Sequence, residues 1–296
     1  MSGVPQSHLV PVFQALFVTF LWSTSWILIK FGLDEIPALT FAGLRYTLAF
    51  LVLVPVVVRR PEHRRAILGL SPKRWWQLIV LGLLFYTVTQ GAMFMALAHL
   101  PAMPVSLLLS FSPAAVALLA IPLLGEHPTR LQWGGMVLFL IGLLAYFYPF
   151  EVPFKALGLA AALIGLVSNV ISSVMGRAVN RQRDLHPVVV TVVSMGVGSV
   201  ALLIIGIGVQ GLPQIDRQGW GIVIYLAVVN TALAFTLWNH TLQRLTAMES
   251  SIINNTMLLQ IVILAWVFLG EPLGWKAVLG IGLAASGALL VQLRRS

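Results

Sequence analysis

Ten times along the chain, a run of about 20 almost wholly apolar residues closes on a short polar connection, and that is the length at which an α-helix crosses the hydrocarbon core of a bilayer. The runs occupy 11–30, 38–58, 75–97, 103–123, 131–148, 156–176, 187–209, 219–241, 247–269 and 275–293. They lack the polar–apolar alternation of barrel strands, so the expectation is helices. Hydrophobic residues make up 59% of the chain and charged residues 9%, too few charges to clothe a water-soluble exterior. The first run has no Lys or Arg ahead of Lys30 and no small-residue cleavage site after it, so it is expected to be retained. Cysteine is absent, which removes thiol chemistry and any statement about redox compartment.

The net charge of +9 raises the question of nucleic acid, but the basic residues lie in the connections between spans. With ten spans, both termini share one side. Arg59, Arg60, Arg64, Arg65, Lys73, Arg74, Arg130, Arg177, Arg181, Arg183, Arg244, Arg294 and Arg295 fall there. Lys30, Lys155, Arg217 and Lys276 fall opposite, and Arg45 lies inside a span. Thirteen against four predicts cytoplasmic termini and a membrane-lipid environment rather than a nucleic-acid partner.

The segment VFLGEPLGW, Val267 to Trp275, ends an apolar run on a glutamate in a chain with nine acidic residues. PLLGEHPTRLQW, Pro122 to Trp133, does the same, and Glu271 follows Glu126 by 145 residues. That offset also places Trp75 on Trp220, Leu100 on Leu245, Ser106 on Ser251, Gly135 on Gly280, Gly142 on Gly287 and Ser23 on Ser168. The protein is one unit written twice, 1–150 and 151–296. Each unit has five spans, an odd number, so the second is expected to cross the membrane in the opposite sense. Inverted repeats of this kind build secondary transporters, whose substrate site lies near the midplane between the halves. The fold class expected is therefore all-α integral membrane, ten transmembrane helices as two inverted five-helix repeats.

The first-span LWSTSWILIKFG, the arginine of FAGLRYTLAF and the two Gly-Glu motifs with glycine-spaced helices after them carry a resemblance. Over essentially its whole length the chain resembles the drug/metabolite transporter superfamily with EamA-type repeats, and most of all the YddG-like exporters of aromatic and other amino acids. Gln132 fits the pattern in the first repeat, whereas Lys276 and Ala277 follow Trp275 in the second and the glutamine is missing. The resemblance implies an exporter in a bacterial-type inner membrane.

Polar residues at helical spacing mark candidate pathway faces. Tyr86, Gln90 and Phe94 lie at i, i+4 and i+8 in the third span, and Thr231, Phe235 and Asn239, with Trp238 beside them, in its repeat mate. Ser106, Ser110 and Pro113 share a stripe in the fourth span, and Ser251, Asn254 and Asn255 in the ninth. Trp22, Ser23 and Trp26 cluster in the first, and Asn169, Ser172 and Ser173 in the sixth. The substrate-binding set expected from these stripes is Trp26, Tyr86, Gln90, Ser110, Asn169, Trp238, Asn239, Asn254 and Asn255. The alternative is that such groups bond neighbouring helices. Gly135, Gly142, Gly280 and Gly287, seven apart, mark spans five and ten as scaffold, and Pro104, Pro113 and Pro122 predict a kinked fourth span.

Glu126 and Glu271 are read as ordering the turn between the fourth and fifth helix of each repeat, against a proton site. All other carboxylates lie at or beyond span ends. Coupled protons usually ride on buried carboxylates, so the carrier is either uncoupled or uses a histidine, with His240 the main candidate. Arg45 either bonds helix to helix or captures a substrate carboxylate. Amides, hydroxyls and aromatics suit a neutral or zwitterionic small-molecule substrate, and a polyanion would need more basic residues than Arg45. The expected function is an amino-acid exporter working by alternating access. The alternative is multidrug efflux of amphipathic compounds, possibly proton-coupled, against which the lack of a midplane carboxylate speaks. No HExxH, nucleophile elbow or Gly-rich phosphate loop is present, so no catalytic residue, metal or cofactor is expected. A receptor without transport is disfavoured by the duplicated stripes. The oligomeric state is open, and a monomer is plausible.

Overall fold

The computed structural model describes residues 9–100, 105, 108–109, 111–148, 155–269 and 274–292, and the described residues contain helices and no strand. Helices are labelled α1 (Leu9–Leu33), α2 (Ala38–Val58), α3 (Pro61–Leu68), α4 (Pro72–His99), α5 (Ser112–Leu124) and α6 (Arg130–Phe147). The second half adds α7 (Ala156–Asn180), α8 (Pro187–Gln210), α9 (Arg217–Thr241), α10 (Ala247–Leu269) and α11 (Trp275–Gln292). Among the described residues α1, α2, α4, α7, α8 and α9 are long and apolar enough to cross a membrane. Apolar stretches in α5, α6 and α11 are shorter, and α10 has 23 residues. Large apolar side chains such as Phe13, Phe17, Leu118, Ile204 and Leu289 are exposed around the outside, a surface that only lipid satisfies.

Helix starts follow capping chemistry. The Ser71 hydroxyl accepts from Arg74 N ahead of Pro72, and Asp216 accepts from Gly219 N at 2.6 Å. Thr129 and Gln132 form a reciprocal capping box at α6, and the Gln132 amide also donates to Val291 O of α11 at 3.3 Å. That second bond gives the first-repeat glutamine a cross-helix role. In the fourth span, where a kink is expected, Pro104 lies outside the described residues and Pro122 lies within a continuous helix. Val105, Leu108 and Leu109 are helical, Phe111 is a turn, and a new helix starts at Ser112 with Pro113 in its first turn.

Helix partners obey the 145-residue offset. It carries α1, α4 and α5 onto α7, α9 and α10. As α1 packs on α9 and α10, so α7 packs on α4 and α5. The remaining helices pair with their own mates, α2 with α8 and α6 with α11. In the latter pair Gly135 faces Gly287 and Gly142 faces Gly280, so the two helices run antiparallel with backbones in contact. In the former, Gly43 meets Leu203 while Gly206 meets Leu39 and Thr40, again antiparallel. The Gln210 side chain completes this pair by accepting from Leu39 N at 2.7 Å, one of the free donors at the start of α2.

Candidate functional site

Where α1, α4, α7, α9 and α10 meet, they border, with Arg45 and Tyr46 of α2 and Ser194 of α8, a cavity of about 150 Å³. That is room for about ten waters, or a solute with about as many non-hydrogen atoms. One wall is aromatic. The Phe235 ring lies 4.9 Å from Trp22, 5.3 Å from Tyr86, 5.5 Å from Phe85 and 5.9 Å from Tyr46, in tilted and edge-on contacts. Trp238 stands 5.2 Å from Trp22 on the same wall.

Two π-helical segments build this wall. Leu83–Thr89 interrupts α4 and Val228–Leu233 interrupts α9. Leu83 and Val228 are 145 residues apart, so the irregularity is duplicated with the rest. Thr89 and Thr231 each turn a hydroxyl back to the carbonyl five residues earlier, at 2.9 and 2.8 Å. A π segment widens the helix locally and shifts its register. It thereby keeps Leu81, Phe85, Thr89, Met93 and Leu97, spaced by four, on one face of the cavity, where a regular helix would have drifted off it. The α-helical spacing assumed for Tyr86, Gln90 and Phe94 therefore needed this correction, although all three do line the cavity. The freed carbonyl of Asn230 accepts from the Trp22 indole at 3.0 Å, and its buried amide donates to Leu21 O and to Thr24 Oγ1. Asn230 was not among the expected residues, and nothing in the local sequence distinguishes it from other span asparagines.

Eight of the nine expected site residues line this one cavity, and Ser110 lies outside the described residues. Their polar groups divide into two kinds. The Asn239 amide donates to Thr191 Oγ1 at 2.9 Å and to Phe235 O, and accepts from Asn180 at 2.8 Å, so it knots α7, α8 and α9 together. Asn255 donates to Leu109 O at 3.3 Å, and Asn169 to Ser112 at 3.4 Å. Trp26, Gln90 and Asn254 form no hydrogen bond among the described residues and remain open to a solute. Met93, Ser172, Ser173 and Met257 also line the space.

Arg45 is the one charged residue among the described lining residues. It is 3% exposed, donates from Nε to Thr231 Oγ1 at 2.8 Å and from Nη2 to Asn230 O at 3.4 Å, and sits 5.2 Å over the Tyr46 ring. These bonds supply the helix-to-helix role directly, since they join α2 to the π segment of α9.

A polar network adjoins the cavity at Leu242, one of its lining residues. Glu126 Oε1 accepts from Arg177 Nε at 2.8 Å, its Oε2 accepts from Ala247 N at 2.8 Å, and Arg177 Nη1 donates to Leu242 O at 2.8 Å. Arg181 adds a bond to Leu124 O at 2.7 Å. Glu126 thus ties the end of α5 to α7 and to the first turn of α10, rather than ordering the α5–α6 turn, which the Thr129–Gln132 box caps. Its ion pair and hydrogen bond give it a cross-helix structural role in place of the turn-ordering one expected. Glu271 lies outside the described residues. His240 is absent from the cavity wall, and its Nδ1 lies 2.9 Å from Gln14 Oε1. Among the described residues no group of His, Cys, Asp and Glu is placed to hold a metal.

Comparison with known proteins adds the family. The chain is similar to the uncharacterized transporter YvbV of Bacillus subtilis, 26% identical over 93% of this chain and 89% of that protein. It is 24% identical to the uncharacterized inner membrane transporter YedA of Escherichia coli K12, over 97% of this chain and 92% of that one. PecM of Dickeya dadantii is 25% identical over 76% of each chain. A solved crystal structure superposes with a TM-score of 0.77 over 96% of this chain and 98% of its own at 19% identity, a likeness of fold. The EamA-like transporter family model matches twice, over residues 9–148 and 156–293. This multi-pass membrane protein, built of two family units in tandem, belongs to the EamA-like transporter family.

Proposed function

We propose that the chain is a secondary transporter of neutral amino acids, aromatic ones foremost, and of related small metabolites, and that it works by alternating access without obligatory proton coupling. The observation that carries this reading is the cavity itself. It is aromatic-walled, bears unpaired amide and indole groups, and lies where helices of both halves meet. Its size suits an amino acid, and its carboxylate-free lining among the described residues disfavours amphipathic cations. The antiparallel packing of repeat mates supports ten spans in two inverted five-helix repeats, 1–150 and 151–296. The basic-residue bias supports cytoplasmic termini, and the likeness to YedA supports a bacterial-type inner membrane. Within the family the aromatic wall favours a YddG-like exporter, with a small-molecule substrate and lipid as its partners.

The test is counterflow in sealed liposomes with no pH gradient and no membrane potential, using labelled phenylalanine, tryptophan, methionine and threonine. Saturable counterflow is expected. Trp238→Ala removes one face of the aromatic wall and is expected to weaken it about tenfold, the effect of about 1.4 kcal/mol of lost contact. Counterflow of none of the four, alongside flux of amphipathic cations by the same preparation, would replace this reading with drug efflux. A second experiment addresses coupling. Because no carboxylate is among the described residues that line the cavity and His240 lies off it, an imposed pH gradient is expected to drive no accumulation, and His240→Gln is expected to leave counterflow unchanged.

A further inference from the structure

Arg45 is almost wholly buried, yet no carboxylate pairs with it among the described residues. Its two hydrogen bonds go to neutral oxygens, one hydroxyl and one carbonyl, and the contact with Tyr46 is a ring face. A guanidinium has five donors, and these two bonds leave the rest unanswered. A charge in a low-dielectric interior is costly unless paired, and this one borders an empty space of solute size. The duplicated architecture sharpens the point. Thr231, which anchors Arg45 in the second π segment, is the repeat mate of Tyr86 in the first. α8, the repeat mate of α2, carries no charged residue. The cation is therefore in one half only, and no symmetric counter-charge cancels it.

We propose that Arg45 is the carboxylate subsite of the cavity. The carboxylate is the group the transporter requires, and the α-ammonium of an amino acid is dispensable. The carboxylate supplies the missing counter-ion and takes the open guanidinium donors in charge-assisted bonds. The ammonium meets only neutral partners here, the aromatic faces and the free amides of Gln90 and Asn254. Monocarboxylates with an apolar or aromatic body are thus ligands of the same cavity, while the corresponding amines are not. This rests on the transporter reading above for the place of the site, but it does not require that the natural cargo be an amino acid.

The experiment is calorimetric titration of purified protein in detergent with phenylalanine, 3-phenylpropanoate (no ammonium) and phenethylamine (no carboxylate), with blanks of each into micelles. Phenylalanine and 3-phenylpropanoate are expected to bind within about tenfold of each other, and phenethylamine at least about 30-fold more weakly, as the loss of a charge-assisted contact implies. Arg45→Gln is expected to weaken both acids by about 10- to 100-fold and leave the amine unchanged. Arg45→Lys, which keeps the charge, guards against a Gln variant that fails to fold, and is expected to retain the preference for acids at reduced affinity. Binding of 3-phenylpropanoate but not phenylalanine, lost in Arg45→Gln, would end the amino-acid reading and uphold the anion subsite. Phenylalanine binding that survives in a folded Arg45→Gln protein, or an amine that binds as well as the acids, would overturn the subsite and spare the amino-acid reading. Binding of neither acid would also overturn it.

Discussion

Replacing Gly198 with alanine is expected to destabilise the protein by about 3 kcal/mol, near the top of the range for one methyl group forced into a filled space. At Gly198 α8 crosses α4 with no room for a side chain. A Cβ there would meet the Gly82 carbonyl oxygen, the Gly82 carbonyl carbon at 2.7 Å and Tyr86 Cβ at 2.8 Å. Backbone atoms cannot rotate aside, so the helices must separate along their contact. Gly82 faces the Ser194 carbonyl from the other side, so the crossing is tight in both directions. Small residues carry membrane helix contacts because dispersion falls quickly with separation. The displacement would fall on the π segment that holds Tyr86 at the cavity, so the folded remainder is expected to transport poorly as well. Gly208 lies on the same helix, and a Cβ there would meet nothing within 4 Å. Gly208→Ala is expected to be neutral or stabilising by about 0.5–1 kcal/mol through helix propensity. Melting temperature in detergent and the monodisperse fraction on size exclusion would compare the two. Equal behaviour would mean that the close approach is not present in the membrane.

Glu126→Ala is expected to be comparably severe, also about 3 kcal/mol, because it strands a largely buried arginine. The two side chains of the Glu126–Arg177 pair are 13% and 12% exposed. The same carboxylate answers Ala247 N in the first turn of α10, so its loss removes a helix-end partner too. The double variant Glu126→Ala with Arg177→Met is expected to be more stable than Glu126→Ala alone, since an apolar replacement of a buried pair is often tolerated and half a pair is not. Additive losses would show that the pair is not coupled. Opening should follow as well, because this network joins α5, α7 and α10 to Leu242, which lines the cavity at the end of α9. The chain has no cysteine, so a single Ser173→Cys reports access to the cavity. Faster labelling by an impermeant maleimide is expected in the Glu126→Ala background.

The sequence by itself determined the class of fold, a helical membrane protein, and many of the polar residues that line the cavity. Bilayer solvent allows few choices. Backbone groups must be satisfied within each helix, so span length and composition are enough to read helices. Duplication at an offset of 145 identified the repeat mates, and polar stripes at helical spacing identified faces that converge in space. Periodicity reports which face of a helix is polar, and no more. It does not report what that face meets, so it could not separate Asn239, whose amide is used up by α7 and α8, from Gln90 and Asn254, which stay open. Only the tertiary structure decided this, because hydrogen-bond partners lie 48 and 59 residues apart in the chain. The same holds for Glu126, whose partners come from two helices of the other half. Arg45 shows the division best. Its place inside a span was legible, but the lack of a counter-charge among the described residues is a property of everything around it.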